Sequence, residues 1–119
     1  MRKIVVSGHT YWWSYKTVRD IFYCRSKLTL ITENRDIKYI VQFITKDTPT
    51  TGSPLNEGLR VMKEDKEYSI NFNQPKYVAV VLQYILDLNL DTAVKKVHEL
   101  NGNEILVDMG YQDLDGFLI

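Results

Sequence analysis

The residues best suited to chemistry form one stretch near the N-terminus, residues 9–21. This stretch contains both tryptophans of the chain, two tyrosines, one of the two histidines, and two cations against a single acid. Aromatic rings interleaved with Lys and Arg can stack on a nucleobase or another planar ligand, or anchor a protein interface. The same rings can fill the core of a small domain. The stretch therefore indicates either a binding surface or a packed interior.

Strand alternation would distribute these aromatic residues over two faces of a sheet. Trp12 and Trp13 would then point in opposite directions, so that one can be core while the other faces outward. We predict a contact surface that combines rigid aromatic rings with neighbouring cations. The predicted binding residues are Tyr11, Trp12, Tyr15, Lys16 and Arg19.

Catalysis and metal binding have no supporting pattern in the sequence. A nucleophile needs an oriented base beside it, but Cys24, the only cysteine, lies among apolar neighbours without a local motif. His9 and His98 are 89 residues apart and match no metal-ligand spacing with that cysteine. We therefore predict a non-enzymatic protein that uses neither a metal nor a cofactor.

The charge of the chain is unevenly distributed although the net charge is zero. Residues 1–28 carry six cations and one acid, a net charge of +5, whereas residues 86–119 carry seven acids and two lysines, a net charge of −5. The two ends could neutralise each other within one domain. Alternatively, one end could attract a polyanion and the other a basic partner, and their mutual attraction would also favour self-association.

Length and composition predict one domain, residues 1–119, of ordinary globular type. Apolar residues make up 45% of the chain and charged residues 25%. The longest apolar run, residues 77–82, is far shorter than the ~20 residues of a membrane span, and residues 4–6 are too few for the apolar part of a signal peptide. A lone cysteine suits a reducing compartment, so we predict a cytoplasmic protein without a membrane segment.

Three β-hairpins are predicted from period-two alternation and from turn residues. They lie within residues 2–15, 27–45 and 59–72. Between the first two, residues 17–25 have apolar side chains at helical spacing, which favours a short helix. The β-branched and aromatic content of that segment also allows a strand.

The second half of the chain predicts two helices, residues 75–88 and 91–101, followed by a strand at residues 104–109. Strands that precede helices in this way are typical of an α+β fold, with an antiparallel sheet covered on one face by the two helices. The predicted core residues are Val5, Leu30, Val41, Phe43, Ile70, Phe72, Val81, Ile85, Val97 and Leu106.

The final residues 117–119 are apolar, so we expect them to dock on the sheet or on another subunit. Surplus aromatic and apolar side chains in so short a chain predict a dimer or larger homo-oligomer. We predict a small binding module that self-associates and uses its aromatic and basic N-terminal surface to bind a protein partner. A nucleotide or other small planar ligand and a single-stranded nucleic acid stay open as alternatives.

Overall fold

The chain forms a five-stranded sheet, a three-stranded sheet and three helices within residues 1–46 and 54–119, the parts that the computed structural model describes. The strands are β1 (Arg2–Val6), β2 (His9–Arg19), β3 (Tyr23–Thr32), β4 (Lys38–Lys46), β5 (Leu59–Lys63), β6 (Lys66–Ile70), β7 (Val97–Asn101) and β8 (Gln112–Asp113). The helices are α1 (Pro54–Glu57), α2 (Pro75–Asp87) and α3 (Gly102–Asp108).

Strands β1 to β4 form an antiparallel meander, and β7 extends it as a parallel neighbour of β4. We call this five-stranded sheet the large sheet. The small sheet has the order β6-β5-β8 and is antiparallel throughout. The α+β class with a mainly antiparallel sheet is therefore confirmed, with the β4–β7 pair as the exception.

The first hairpin turns at Ser7 and Gly8, both of which have positive φ (52° and 77°). Two consecutive residues of positive φ give the turn the twist that matches the flanking strands. The predicted hairpins at 2–15, 27–45 and 59–72 are all present as strand pairs. Turn residues and period-two alternation were sufficient to predict these hairpins, because the two strands of each hairpin are close in sequence.

The predicted helix at residues 17–25 is wrong. Strand β2 continues to Arg19, the chain turns at residues 20–22, and β3 begins at Tyr23. Along β3 the buried residues Cys24, Ser26, Leu28 and Leu30 alternate with exposed ones. The pairing of β2 with β3 gives the backbone N–H and C=O groups of both strands hydrogen-bond partners. A short isolated helix would leave most of these groups without partners.

The predicted helix at 91–101 and the predicted strand at 104–109 are also wrong. The Asp91 carboxylate accepts hydrogen bonds from the N–H groups of residues 93 and 94 (3.1 and 3.3 Å) and so closes a turn, after which the chain enters β7 beside β4. The Asn101 side chain accepts a hydrogen bond from Glu104 N (3.2 Å) and begins α3. Asn101 therefore starts a helix where the sequence pattern indicated the end of one.

The core lies between one face of the large sheet and the layer formed by α2, α3 and the small sheet. Two predicted core residues are wrong: Val5 is 67% exposed and Val97 is 47% exposed. Val5 points away from the core because its neighbour Val6 points into it, and Val97 begins a strand instead of lying within a helix. The other eight are buried: Leu30, Val41, Phe43, Ile70, Phe72, Val81, Ile85 and Leu106.

Residues 117–119 pair with β4 of the same chain. Phe117 O accepts a hydrogen bond from Lys46 N (2.8 Å), and Ile119 N donates to Ile44 O (3.2 Å). The buried Asn103 side chain joins the same region, since its Nδ2 donates to the carbonyl oxygens of Ile44 and Ile119 (both 2.7 Å). The expectation that these apolar residues dock on the sheet is thus met within one chain.

Candidate functional site

One face of the large sheet packs against the core. The other face is not covered by the described helices or by the small sheet. We call the second face the open sheet face. This face includes Trp12, Lys16 and Arg25. The strand register shows that their side chains lie on the side of the sheet opposite to the buried side chains of Trp13 and Leu28. The charged residues on the open sheet face are Lys3, Lys16, Arg25, Lys27, Lys38, Lys46 and Glu99.

The open sheet face is strongly basic, although the whole chain has 15 cations and 15 acids. Among the described strand residues, this surface carries six cations and one carboxylate, that of Glu99. None of the six forms an ion pair within the described parts of the chain, where the ion pairs include Arg60 with Glu67 and Lys96 with Asp36. No described carboxylate therefore neutralises the positive charge of this face through an ion pair.

Three cations lie together at the centre of the open sheet face. Lys16 on β2 lies directly opposite Lys27 on β3, and Arg25 lies two residues from Lys27 on the same side of β3. We call Lys16, Arg25 and Lys27 the central cation cluster. Like charges directly opposite each other on a sheet destabilise the fold. A bound anion between them would remove that repulsion.

Aromatic residues lie at both ends of this cluster. At one end, the half-buried Trp12 ring has Lys3 Nζ at 4.8 Å and the Arg35 guanidinium carbon at 5.3 Å from its centroid. At the other end, the exposed Tyr23 lies opposite Lys46 on β4. The Trp12 ring therefore has two cations close to it, and Tyr23 has Lys46 as its neighbour across the strands, an arrangement that suits a ligand with both planar and anionic groups.

The structure divides the five predicted binding residues between the two faces of β2. Trp12 and Lys16 lie on the open sheet face, whereas the Tyr11 ring is 6% exposed and belongs to the core. Tyr15 is half-buried on the core side, with its ring 5.6 Å from that of Phe72. Arg19 is exposed at the end of β2. Tyr11 and Tyr15 therefore do not share a surface with Trp12 and Lys16, because adjacent strand residues alternate in direction.

The basic N-terminal region of the sequence already included Arg25 and Lys27 of β3, but the sequence pattern did not single out the cations that β4 adds to the open sheet face. Arg25 and Lys27 alternate with buried residues of β3, and Lys38 and Lys46 occupy the outward positions of β4. Their period-two spacing was visible in the sequence. Only the register of three neighbouring strands brings them onto one surface with Lys16.

An exposed apolar cluster lies beside this surface at the turn between β2 and β3. Ile21 is 83% exposed and Phe22 is 73% exposed, and Val18 is also exposed on the adjoining end of β2. The Phe22 ring packs edge-to-face against Tyr23 with centroids 6.5 Å apart. We call residues Val18, Ile21, Phe22 and Tyr23 the hairpin tip. Apolar groups concentrated in this way on a surface are typical of contact sites.

A cavity of about 620 Å³ lies at the opposite end of the large sheet, between the β1–β2 and β3–β4 turns. It is lined by His9, Thr32 and Asp36 among others, and the last two already have partners. Thr32 Oγ1 donates to Asn34 Oδ1 (2.9 Å), and Asp36 lies 3.4 Å from Lys96 Nζ. Within residues 1–46 and 54–119, no three His, Cys, Asp or Glu side chains are grouped to hold a metal ion.

Comparison of the chain with protein-family models, with curated proteins and with solved structures finds no match. Among the helices described, none has the length and apolar character needed to cross a membrane.

Proposed function

We propose that this protein is a non-enzymatic binding module that holds single-stranded nucleic acid on its open sheet face. The observation that carries the proposal is the set of six cations on that face, which form no ion pair with a described residue, with Glu99 as the single acid among the described strand residues. A phosphate backbone that contacts such cations releases its condensed counterions, and this release is a main source of nucleic-acid affinity.

The shape of the face favours a single strand over a duplex. Ile31, the partner of Trp12, lies eight residue steps from Tyr23 along β3, so the two aromatic positions are roughly 26 Å apart along the strand. Unstacked bases can stack on such rings while the phosphates follow the cations between them. Five strands also make a surface about 19 Å wide, which is too broad for a major groove of about 12 Å.

The acids of the C-terminal region do not oppose this proposal. With the exception of Glu99, they lie outside the large sheet, on or next to α2, α3 and β8. Helices α2 and α3 pack on the core side, opposite the open sheet face. The strands of the large sheet therefore present a basic side to a polyanion, and the acids of the C-terminal region other than Glu99 lie away from it.

The proposal is tested by fluorescence anisotropy with a labelled oligothymidylate between 50 and 300 mM salt. The variant Lys16→Gln/Lys27→Gln removes two cations from the central cation cluster. We expect weaker binding and a plot of log K against log salt that is shallower by about 1.4, since each phosphate contact in a single strand contributes about 0.7. Lys63→Gln/Lys76→Gln, which removes the same charge away from the large sheet, is the matched control.

Two results would overturn the nucleic-acid proposal. One is binding that does not depend on salt, or no binding by the wild-type protein at 50 mM salt. The other is tighter binding of a duplex of the same length than of the single strand. Circular dichroism and the midpoint of thermal unfolding of each variant show whether it is folded.

The hairpin tip favours protein binding, including self-association, as a second candidate function. Exposed apolar side chains next to arginine are typical anchors of protein interfaces, and Arg19 adjoins Ile21 and Phe22. Sedimentation velocity over a wide concentration range tests self-association. We expect Ile21→Ser/Phe22→Ser to shift the protein toward monomer. A wild-type protein that stays monomeric at high concentration would exclude self-association through the hairpin tip. A cytoplasmic site of action fits the lone, buried Cys24.

A further inference from the structure

A second surface, unrelated to the open sheet face, has the composition of a small-molecule site. A cavity of about 420 Å³ lies between the β5–β6 hairpin and α2. This volume is within the range of roughly 300–1,000 Å³ that is usual for ligand pockets. We call it the tyrosine pocket, and its main lining residues are Lys63, Glu64, Tyr68, Lys76, Tyr77 and Tyr111.

Three phenol rings form the walls of the tyrosine pocket. Tyr68 and Tyr111 meet edge-to-face with centroids 6.1 Å apart, and Tyr77 is a buried residue of α2. Burial raises the pKa of the Tyr111 phenol, and the nearby phenols of Tyr68 and Tyr77 raise it further. Within the described parts of the chain, none of the three hydroxyls forms a hydrogen bond, so the protein itself does not use these donors.

Two ammonium groups lie against these rings. Lys63 Nζ is 5.0 Å from the centroid of Tyr111, and Lys76 Nζ is 4.9 Å from the centroid of Tyr77. Neither lysine forms an ion pair with Glu64 or with any other described carboxylate. Two cations against one carboxylate leave the tyrosine pocket with a net positive charge.

Tyrosine walls often bind cationic ligands, but here the chain's own lysines occupy that position. An ammonium ligand would have to displace Lys63 from Tyr111 or Lys76 from Tyr77, and would meet their repulsion. An anion instead would pair with both lysines and accept hydrogen bonds from the phenol hydroxyls. An aromatic body would in addition pack against the ring walls.

We propose that the tyrosine pocket binds a small planar aromatic anion, a ring system that bears a carboxylate. The ring lies between Tyr68, Tyr77 and Tyr111, and the carboxylate lies at the mouth between Lys63 and Lys76. This site is separate from the open sheet face, because it is formed by the small sheet, α2 and the segment that precedes β8. The inference therefore stands or fails independently of nucleic-acid binding.

The test uses 2-naphthoate as the probe, with binding measured by isothermal titration calorimetry and by shifts of the protein's amide resonances. The uncharged analogue 2-naphthylmethanol has the same ring system without the carboxylate. We expect naphthoate to bind at least tenfold more tightly than the alcohol. In Lys63→Gln/Lys76→Gln the affinity for naphthoate should fall about tenfold, since two charge-assisted contacts are lost.

Lys16→Gln/Lys27→Gln is the control here, so the two double variants serve as reciprocal controls for the two proposals. It should bind naphthoate as the wild-type protein does. Tyr111→Phe keeps the ring and removes one hydroxyl, and we expect it to lose about threefold in affinity, less than the lysine variant loses.

Several outcomes would overturn the inference. These are the absence of naphthoate binding at 1 mM, equal affinity for the alcohol, unchanged affinity in Lys63→Gln/Lys76→Gln, and preferential binding of choline. None of them bears on oligothymidylate binding at the central cation cluster, so failure of one proposal is distinguishable from failure of the other.

Discussion

Trp12 and Trp13 are adjacent in sequence but have different environments in the large sheet. The Trp13 side chain is 2% exposed and lies in the core, with Arg2 stacked over its ring at 4.6 Å. Trp12 lies on the open sheet face between the side chains of Lys3 and Arg35. One tryptophan is therefore part of the core, and the other is half-buried on the open sheet face.

Replacing these two residues should separate stability from binding. We expect Trp13→Ala to lower the free energy of unfolding by about 3–5 kcal/mol, because it leaves a large cavity in the core. Trp12→Ala should lower it by less than about 1.5 kcal/mol but weaken oligothymidylate binding several-fold. Urea denaturation and anisotropy measure the two quantities, and each variant is the control for the other. Equal losses of stability in both variants would contradict this assignment.

Two buried tyrosines make stability sensitive to alkaline pH. Burial raises the pKa of the Tyr11 phenol, and the nearby Tyr39 phenol raises it further. Burial also raises the pKa of Tyr39. The folded state therefore holds these protons more tightly than the unfolded state, whose phenols ionise near pH 10. This stabilising contribution is complete below about pH 10 and is lost as the pH rises through the folded-state pKa.

We expect the free energy of unfolding to decrease between about pH 9.5 and pH 11. The slope of this decrease against pH should be smaller in Tyr11→Phe than in the wild-type protein. Urea denaturation at fixed temperature across this interval measures it. Tyr23→Phe changes an exposed phenol and is the matched control. Stability that increases with pH over this interval would show that the linkage has the opposite sign.

At the scale of elements, the sequence predicts those parts whose partners are close along the chain. The hairpins and α2 follow from period-two and period-3.6 patterns and from Pro75 at the first turn of the helix. The segments 91–101 and 104–109 could not be predicted in this way, because β7 is defined by a parallel partner more than fifty residues earlier. Prediction of the candidate site from sequence is limited for the same reason. Lys16 is predictable as an exposed cation, but its position opposite Lys27 depends on the register of β2 and β3.

The contact between α3 and β4 explains why glycine begins this helix. A Cβ at Gly102 would collide with the ring of Phe43. We expect Gly102→Ala to lower the free energy of unfolding by about 1–3 kcal/mol because the site would be overpacked. Combination with Phe43→Leu should recover at least about 0.5 kcal/mol relative to the sum of the single changes. Urea denaturation of the four proteins measures this coupling, and strict additivity would contradict the contact.

At the scale of the whole molecule, a neutral chain carries six of its fifteen cations on the strands of one sheet face, where Glu99 is the one acid among the described strand residues. Repulsion within the central cation cluster is screened by salt, whose Debye length is about 8 Å at 0.15 M. We expect the thermal midpoint of the wild-type protein to rise between 20 and 200 mM sodium chloride, and that of Lys16→Gln/Lys27→Gln to rise less. Scanning calorimetry at constant pH measures both. A midpoint that falls with salt would show that attractive ion pairs dominate instead.

The parallel pairing of β4 with β7 affects how this chain emerges from the ribosome. Strands β1 to β4 can fold as soon as residue 46 is free, but the partner for the edge of β4 ends 55 residues later, at Asn101. At about 5–20 residues per second, that edge stays unpaired for roughly 3–11 s. An unpaired edge is where nascent chains join one another, and charged side chains are a known protection against it. Lys38 and Lys46 lie at the two ends of β4, so the edge that waits for β7 carries charges of the kind that protects against aggregation.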